Sequence, residues 1–147
     1  MATYKGFFKP KNPQKYHGDP TNIVYRSGWE LKLMLRLDED PQVVKWSSEE
    51  LAIPYRSPID NRIHRYFPDF LVTKINKEGV RETLMVEVKP FKQTQPPEMK
   101  TAKTKRYLNE VVTWGVNQAK WKAAEEFCKD RNYRFILMTE NELGVKF

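Results

Sequence analysis

The stretch from Phe67 to Lys89 limits what this chain can fold into more than any other. It reads Phe67-Pro68-Asp69-Phe70-Leu71-Val72, a turn through Asn76-Lys77-Glu78-Gly79, and then Thr83-Leu84-Met85-Val86-Glu87-Val88-Lys89. Two runs rich in β-branched and aromatic residues, joined by a short Asn/Gly loop, predict a β-hairpin. Strand side chains alternate, so Leu84, Val86 and Val88 share one face while Met85, Glu87 and Lys89 share the other. With the turn centred on Glu78, Asp69 is expected opposite Glu87, and Leu71 opposite Met85.

Facing residues of an antiparallel pair have Cβ atoms roughly 5 Å apart, where like charges destabilise unless something compensates them. A divalent cation does so. Two converging carboxylates suit a hard, oxygen-seeking Mg²⁺, which keeps several waters and binds through one or two carboxylates plus substrate phosphate; Mn²⁺ is expected to substitute. Asp69 and Glu87 are therefore the candidate metal ligands. Lys89, two residues on and on the same face, is placed to orient a metal-bound water or neutralise a phosphate. Taken singly, each piece has an ordinary reading: Glu-x-Lys on a strand is commonly a solvated face, and Pro-Asp commonly a turn. Together, in register and on a basic chain, they point to metal-dependent phosphodiester cleavage.

The basic balance is 26 Lys plus Arg against 19 Asp plus Glu, a formal net charge of +7. It suits a polyanion partner such as DNA, since such charge adds sequence-independent affinity for phosphate backbones. The 147 residues are enough for one domain with one substantial core. No apolar run is long enough to span a membrane and no secretory start is visible, so a soluble intracellular protein is expected, with no membrane partner. One cysteine, Cys128, excludes an internal disulfide, and with only His17 and His64 a zinc or histidine-based centre is not expected.

Residues 1 to about 22 interleave Lys5, Lys9, Lys11 and Lys15 with Tyr4, Phe7, Phe8 and Tyr16 among three prolines. Proline density and absent periodicity predict an extended basic arm ahead of a domain over 23–147. Such an arm either tracks a phosphate backbone and stacks on bases, or packs its aromatics on the domain surface. Ser27-Gly28-Trp29-Glu30 has the spacing of a capping box and predicts a helix start. Trp29, Leu31, Leu33, Met34, Leu35 and Leu37 form the apolar set, Lys32, Arg36 and Glu39 the polar stripe, and Glu30, nearly opposite Lys32, points inward. Asp40-Pro41 ends the helix.

Val43–Trp46 and Leu51–Tyr55 are expected as short extended pieces joined by a turn at Ser47-Ser48-Glu49-Glu50. Arg56, Arg62, His64 and Arg65 cluster in what reads as a loop, either merely solvated or clamping substrate phosphates with their guanidiniums. Pro90 stops the strand after Lys89. The loop Phe91–Pro97 brings Lys92, Gln93, Thr94 and Gln95 beyond the expected site as substrate contacts. From about Met99 to Asp130 the composition is helical, with two segments hinging near Gly115; Lys100, Lys103, Lys105 and Arg106 form a basic cluster, and Val116, Ala119, Ala123 and Phe127 recur at core spacing. Gln118 and Lys122 lie one turn apart. Tyr133–Met138 is an apolar run of buried-strand type.

Pro68-Asp69 followed by Glu87-Val88-Lys89 resembles the PD-(D/E)xK nuclease superfamily. Gly18 to Lys32, with Trp46 to Glu50, Ile53 to Pro58, His64 to Phe70 and Lys92 to Pro97, is similar to the head completion nucleases of T-even-type tailed phages, a resemblance that covers most of the chain. It implies a single α/β domain with a restriction-endonuclease-like core, a mixed central sheet flanked by helices. It also implies a Mg²⁺-dependent deoxyribonuclease that trims packaged DNA so that heads join tails, with phage head and neck proteins as partners, in the cytoplasm of the infected host or associated with the virion. A first-helix glutamate of the superfamily can approach the metal, which adds Glu30 to Asp69, Glu87 and Lys89 as catalytic candidates. Gln118 resembles a glutamine that some members place after the Glu-x-Lys strand, and joins Arg56, Arg62, Arg65 and Lys92 as DNA-binding candidates. Two alternatives stay open: a non-catalytic DNA-binding or neck-assembly protein, and a repair, resolvase or transposon-end nuclease.

Overall fold

The computed structural model describes residues 5–143. Its centre is the expected hairpin, strands β6 (Phe70–Ile75) and β7 (Arg81–Val88). The Asn76 side chain accepts the backbone N–H groups of Glu78 and Val80, both at 3.0 Å, and Gly79 takes a left-handed φ of 79°. A side chain that bonds its own turn in this way fixes the turn's length, and turn length sets register. The pairing is Phe70 with Val86 and Leu71 with Met85, as the numbering predicts. Asp69 lies one residue before the strand, at the position that continues the ladder toward Glu87.

Two further strands flank this hairpin, one on each side, to make a four-stranded sheet. Strand β3 (Val43–Ser48) runs antiparallel to β6, and β8 (Arg134–Met138) parallel to β7. A parallel neighbour needs a crossover. It is supplied by helix α2 (Lys105–Arg131). The alternation in β7 divides the interior into two cores. Leu84 and Val86 face helix α1 (Gly28–Glu39) through Trp29, Leu33, Met34 and Leu37, while Met85 faces α2 through Trp121, Ala124 and Cys128. The result is a mixed sheet flanked by helices, with the short helix α3 (Glu140–Leu143) closing the α1 side.

Helix α1 begins as its cap predicts, with the Glu30 N–H donating to Ser27 Oγ at 3.2 Å. The glutamate's reach differs: its Oε2 accepts the Arg26 N–H at 3.1 Å, one residue before the cap. The apolar stripe also shifts. Leu35 is 44% exposed and Asp38 is buried. Asp38 accepts the N–H groups of Lys11 (2.8 Å) and Asn12 (3.0 Å), and Lys15 Nζ donates to the carbonyls of Asp38 (3.0 Å) and Asp40 (2.7 Å), where a cation suits a helix C-terminus. These contacts tie down the basic segment. Strand β1 (Gly6–Phe8) pairs with β2 (Ile23–Tyr25), and Phe8 and Tyr16 are buried edge-on against Trp46. Phe8 and Tyr16 thus pack on the domain while Phe7 stays exposed, β1 and β2 pair across residue 22, and Tyr4 lies outside the described residues.

Four expectations about elements need correction. Residues 105–131 form one helix with no hinge at Gly115, since a lone glycine costs an α-helix only about 1 kcal/mol and α2 is held on either side of it by Trp114 and by Val116 to Cys128. The helix starts not at Met99 but where the Thr104 side chain accepts the Tyr107 N–H at 3.1 Å. Its innermost stripe is Asn117, Trp121, Ala124 and Cys128, with Val116, Ala119, Ala123 and Phe127 half-buried beside it. The arginine cluster is not a loop but a second hairpin, β4 (Ile53–Arg56) and β5 (Ile63–Tyr66), whose polar face hides its alternation. Ser47 and Ser48 belong to β3, and the chain leaves the strand at Glu49 with a left-handed φ of 53°.

The buried Asp38 carboxylate is what anchors the Lys11 and Asn12 backbone to α1. Asp38→Ala is expected to lower unfolding free energy by about 3 kcal/mol, the scale of losing hydrogen bonds to a buried charged group, read as a shift of the urea midpoint at unchanged slope.

Candidate active site

Asp69 and Glu87 reach the same place by different routes. Glu87 is buried at the carboxyl end of β7, on the face that meets α2, and its Oε1 accepts the Tyr66 hydroxyl at 2.8 Å. Asp69 enters from the turn before β6, and its Oδ2 accepts the Val88 N–H at 2.8 Å, so the first carboxylate is bonded to the strand that carries the second. Lys89 Nζ stands 3.7 Å from Glu87 Oε2, on the same side of the strand. Its backbone N–H continues the ladder to Met138 at 3.0 Å, which keeps the end of β7 from fraying.

Burial raises the Asp69 carboxyl well above its ordinary range, and the neighbouring Glu87 charge raises it further. The Val88 N–H and the Lys89 charge oppose this only in part. Burial also raises Glu87, against the pull of Lys89, the Tyr66 hydroxyl, the Asp69 N–H and the Lys120 charge. The pair therefore takes up a proton more readily than two exposed carboxylates would. Glu30 is raised by its own burial, and its charge is felt at Asp69. Three acidic groups thus share one poorly solvated region, though Glu30 is tied back to the Arg26 N–H.

The donor set fits a hard divalent cation without completing its shell. Among the described residues no group of three or more His, Cys, Asp or Glu side chains converges as a ligand cluster. Asp69 and Glu87 supply two carboxylates, and Mg²⁺ characteristically takes that number and leaves the rest of its shell to water and phosphate. Both carboxyls are raised chiefly by burial, and Asp69 also by the Glu87 charge, effects that a cation between them would oppose.

Three residues around the pair were not singled out by sequence reasoning. Tyr66 closes β5 and bonds Glu87; a tyrosine preceding Pro-Asp carries no motif. Lys120 on α2 lies 5.7 Å from the Tyr66 ring centre and 5.8 Å from that of Tyr55, and lowers the Glu87 pKa. Gln118 and Lys120 are two helical positions apart, so about 200° separates them around the axis. Gln118, the expected contact, therefore lies on the opposite flank, beside β8, and Lys120 takes the flank toward Glu87. Glu49 receives a two-pronged contact from Arg26, with Arg26 Nε 3.1 Å from Oε1 and Nη2 3.1 Å from Oε2, while its N–H donates to the Asp69 carbonyl at 3.1 Å. That chain of bonds joins α1 to the backbone under Asp69.

The remaining candidates are dispersed. Arg56 and Arg65 lie on the same outward face of the β4–β5 hairpin, Arg56 donating to the Asn61 carbonyl (2.7 Å) and Arg65 lying over the Phe67 ring (5.5 Å). Arg62 is exposed at the hairpin's end. Lys92 is exposed in a 3-10 turn, Phe91–Thr94, just past Lys89.

A family model described as TnsA-like endonuclease, N terminal, matches residues 40–140, a span that contains Asp69, Glu87 and Lys89 and starts after α1. The head completion nuclease of Enterobacteria phage T4 is 40% identical over 144 residues, covering 95% of this chain and 93% of that protein. With matches of that extent, and with a mixed sheet flanked by helices of the restriction-endonuclease-like kind, the chain belongs to the TnsA-like endonuclease family.

Proposed function

We propose that this endonuclease is a Mg²⁺-dependent deoxyribonuclease acting in phage head completion, where it processes packaged DNA. The observation that carries the reading is the placement of Asp69 and Glu87, bonded to the same strand end, with the Lys89 ammonium 3.7 Å from Glu87. Asp69 and Glu87 would hold the ion, which when bound supplies a nucleophilic water and charge to offset that of the phosphate. Lys89 orients that water or steadies charge developing on the phosphoryl oxygens. Tyr66 holds Glu87 by Oε1 and leaves Oε2 turned to the Lys89 ammonium, and Lys120 adds further positive charge nearby. Glu30 and the Arg26–Glu49 pair position the backbone from which Asp69 projects.

The net charge of +7 supports DNA as partner. Arg56 and Arg65 on the hairpin face, with Arg62 and Lys92, are the groups we assign to the phosphate backbone on either side of the site. Contacts to head and neck proteins, and action in the infected host's cytoplasm, come with the proposed role. Among the described residues no helix is long and apolar enough to cross a membrane.

Supercoiled plasmid incubated with the purified protein and Mg²⁺ is expected to be nicked. Asp69→Ala and Lys89→Ala are each expected to lose about 100-fold or more in rate, the scale of removing a group that stabilises developing charge. Absence of nicking by the wild type, or nicking by both variants at the wild-type rate, would remove this catalytic reading.

Asp69→Asn has a second expected effect. In the metal-free protein both carboxyls are raised relative to the unfolded chain, so the folded state binds more protons and its stability falls as pH climbs from about 4 through the raised values. The substituted amide keeps an oxygen for the Val88 N–H and carries no charge. The variant's melting temperature at pH 8 in EDTA should exceed that of wild type, and Mg²⁺ should stabilise the wild type alone.

Tyr66→Phe removes a hydrogen bond that favours ionised Glu87. The acidic limb of the pH–rate profile is expected to move to higher pH, with activity largely restored by raising pH; a limb that stays in place would separate Tyr66 from the reaction.

A further inference from the structure

We propose that the cavity between α2 and β8 receives an unpaired nucleobase adjoining the bond to be cut, so that the enzyme favours single-stranded or frayed DNA over intact duplex. The proposal rests on the nuclease reading above and deepens it. The cavity measures about 620 Å³ and is walled by Trp114, Trp121, Phe135 and Leu137, with Gln118, Lys122, Glu125 and Thr94 among its lining residues. That volume falls in the range of sites that enclose a small molecule, roughly 300–1,000 Å³.

The walls specify the ligand's chemistry. The half-buried Trp114 ring is held edge to face against the buried Trp121 with centres 6.3 Å apart, and its open face is an aromatic surface of the kind bases stack on. The Trp121 indole N–H is buried with no hydrogen-bond partner and is closed off from solvent, so the polar contacts the cavity offers come from Gln118, Lys122, Glu125 and Thr94. Gln118 both donates and accepts, and Glu125 only accepts, suiting exocyclic amino groups. The Glu125 carboxylate beside the Lys122 ammonium leaves no net positive charge to attract phosphate. A neutral, planar, hydrogen-bonding heterocycle meets all of these conditions; a phosphate or an aliphatic chain does not.

Position ties the cavity to cleavage. Leu137 is the residue paired with Glu87 across the β7–β8 ladder, and strands in a sheet lie about 4.8 Å apart. Thr94 belongs to the turn that follows Lys89. Helix α2 separates two flanks of the one site: Lys120 looks toward Glu87 and Tyr66, and Gln118 toward the cavity. A backbone held at Asp69 and Glu87 would have a neighbouring base within reach of the tryptophans only if that base were not paired in a helix.

Two measurements test this. In EDTA, where no cleavage occurs, anisotropy of a labelled oligothymidylate should show saturable binding that is at least about tenfold tighter than for a duplex of equal length at the same salt. Gln118→Ala, on an exposed helix face, and Trp114→Leu should each weaken the single strand by about fivefold or more, the lower end of what base stacking contributes, and leave duplex binding unchanged. Melting curves identify a variant that fails to fold, and Gln118→Ala alone then decides. With Mg²⁺, a forked substrate carrying one abasic nucleotide at successive positions should be cut about tenfold more slowly at a single position beside the cleaved bond. Equal affinity for both forms of DNA, a flat abasic scan, or variants indistinguishable from wild type would make the cavity a packing defect only. A protein that cuts no DNA defeats the nuclease reading while the titration still judges the cavity; normal cutting with a flat scan defeats the cavity alone.

Discussion

The rest of the molecule depends on the register of one hairpin. A shift of a single residue between β6 and β7 would send Glu87 to the α1 core and carry Asp69 away from the Val88 N–H. The Asn76 side chain, bonded twice within its own turn, opposes that shift, and the apolar alternation of β7 opposes it again because both faces are buried. Two carboxyl groups can stand close in a poorly solvated place only because this local geometry is fixed elsewhere.

The surroundings then divide between holding that pair and tolerating it. Tyr66, Lys89 and Lys120 favour the charged form of Glu87, whereas burial disfavours it at both acids. The left-handed backbone at Glu49, uncommon for a residue with a side chain, sits where β3 gives up its ladder to reach the Asp69 carbonyl. Two acids buried side by side thus cost folding stability as they ionise, as in sites where function is kept at some cost to the fold.

Much of this was legible in the residues. Period-two alternation with a centred turn placed Leu71 against Met85, and the Ser27 cap placed α1, because both signals are local. What escaped was encoded in tertiary contact. Asp38 reads as one more helix-end acid until the chain from Lys11 to Lys15 folds over it. Gly115 reads as a hinge until packing along α2 outweighs its propensity. Tyr66 and Lys120 belong to no motif; they matter because a hairpin and a helix distant in the chain meet over Glu87. Gln118, singled out by resemblance, lies on the far flank of its helix from Glu87, which residue spacing resolves only once the helix's inner stripe is known.

The parallel pairing of β7 with β8 carries a consequence for how the chain matures. Strand β7 gains its second neighbour only after the whole crossover helix has been made and laid across the sheet, and contacts so distant in sequence form late. On a ribosome, the segment bearing Glu87 would leave the tunnel with one side of its backbone still open to water, and its carboxylate would stay hydrated until residues 134–138 emerged. The buried arrangement around Glu87 would therefore arise in a last, cooperative docking event rather than element by element.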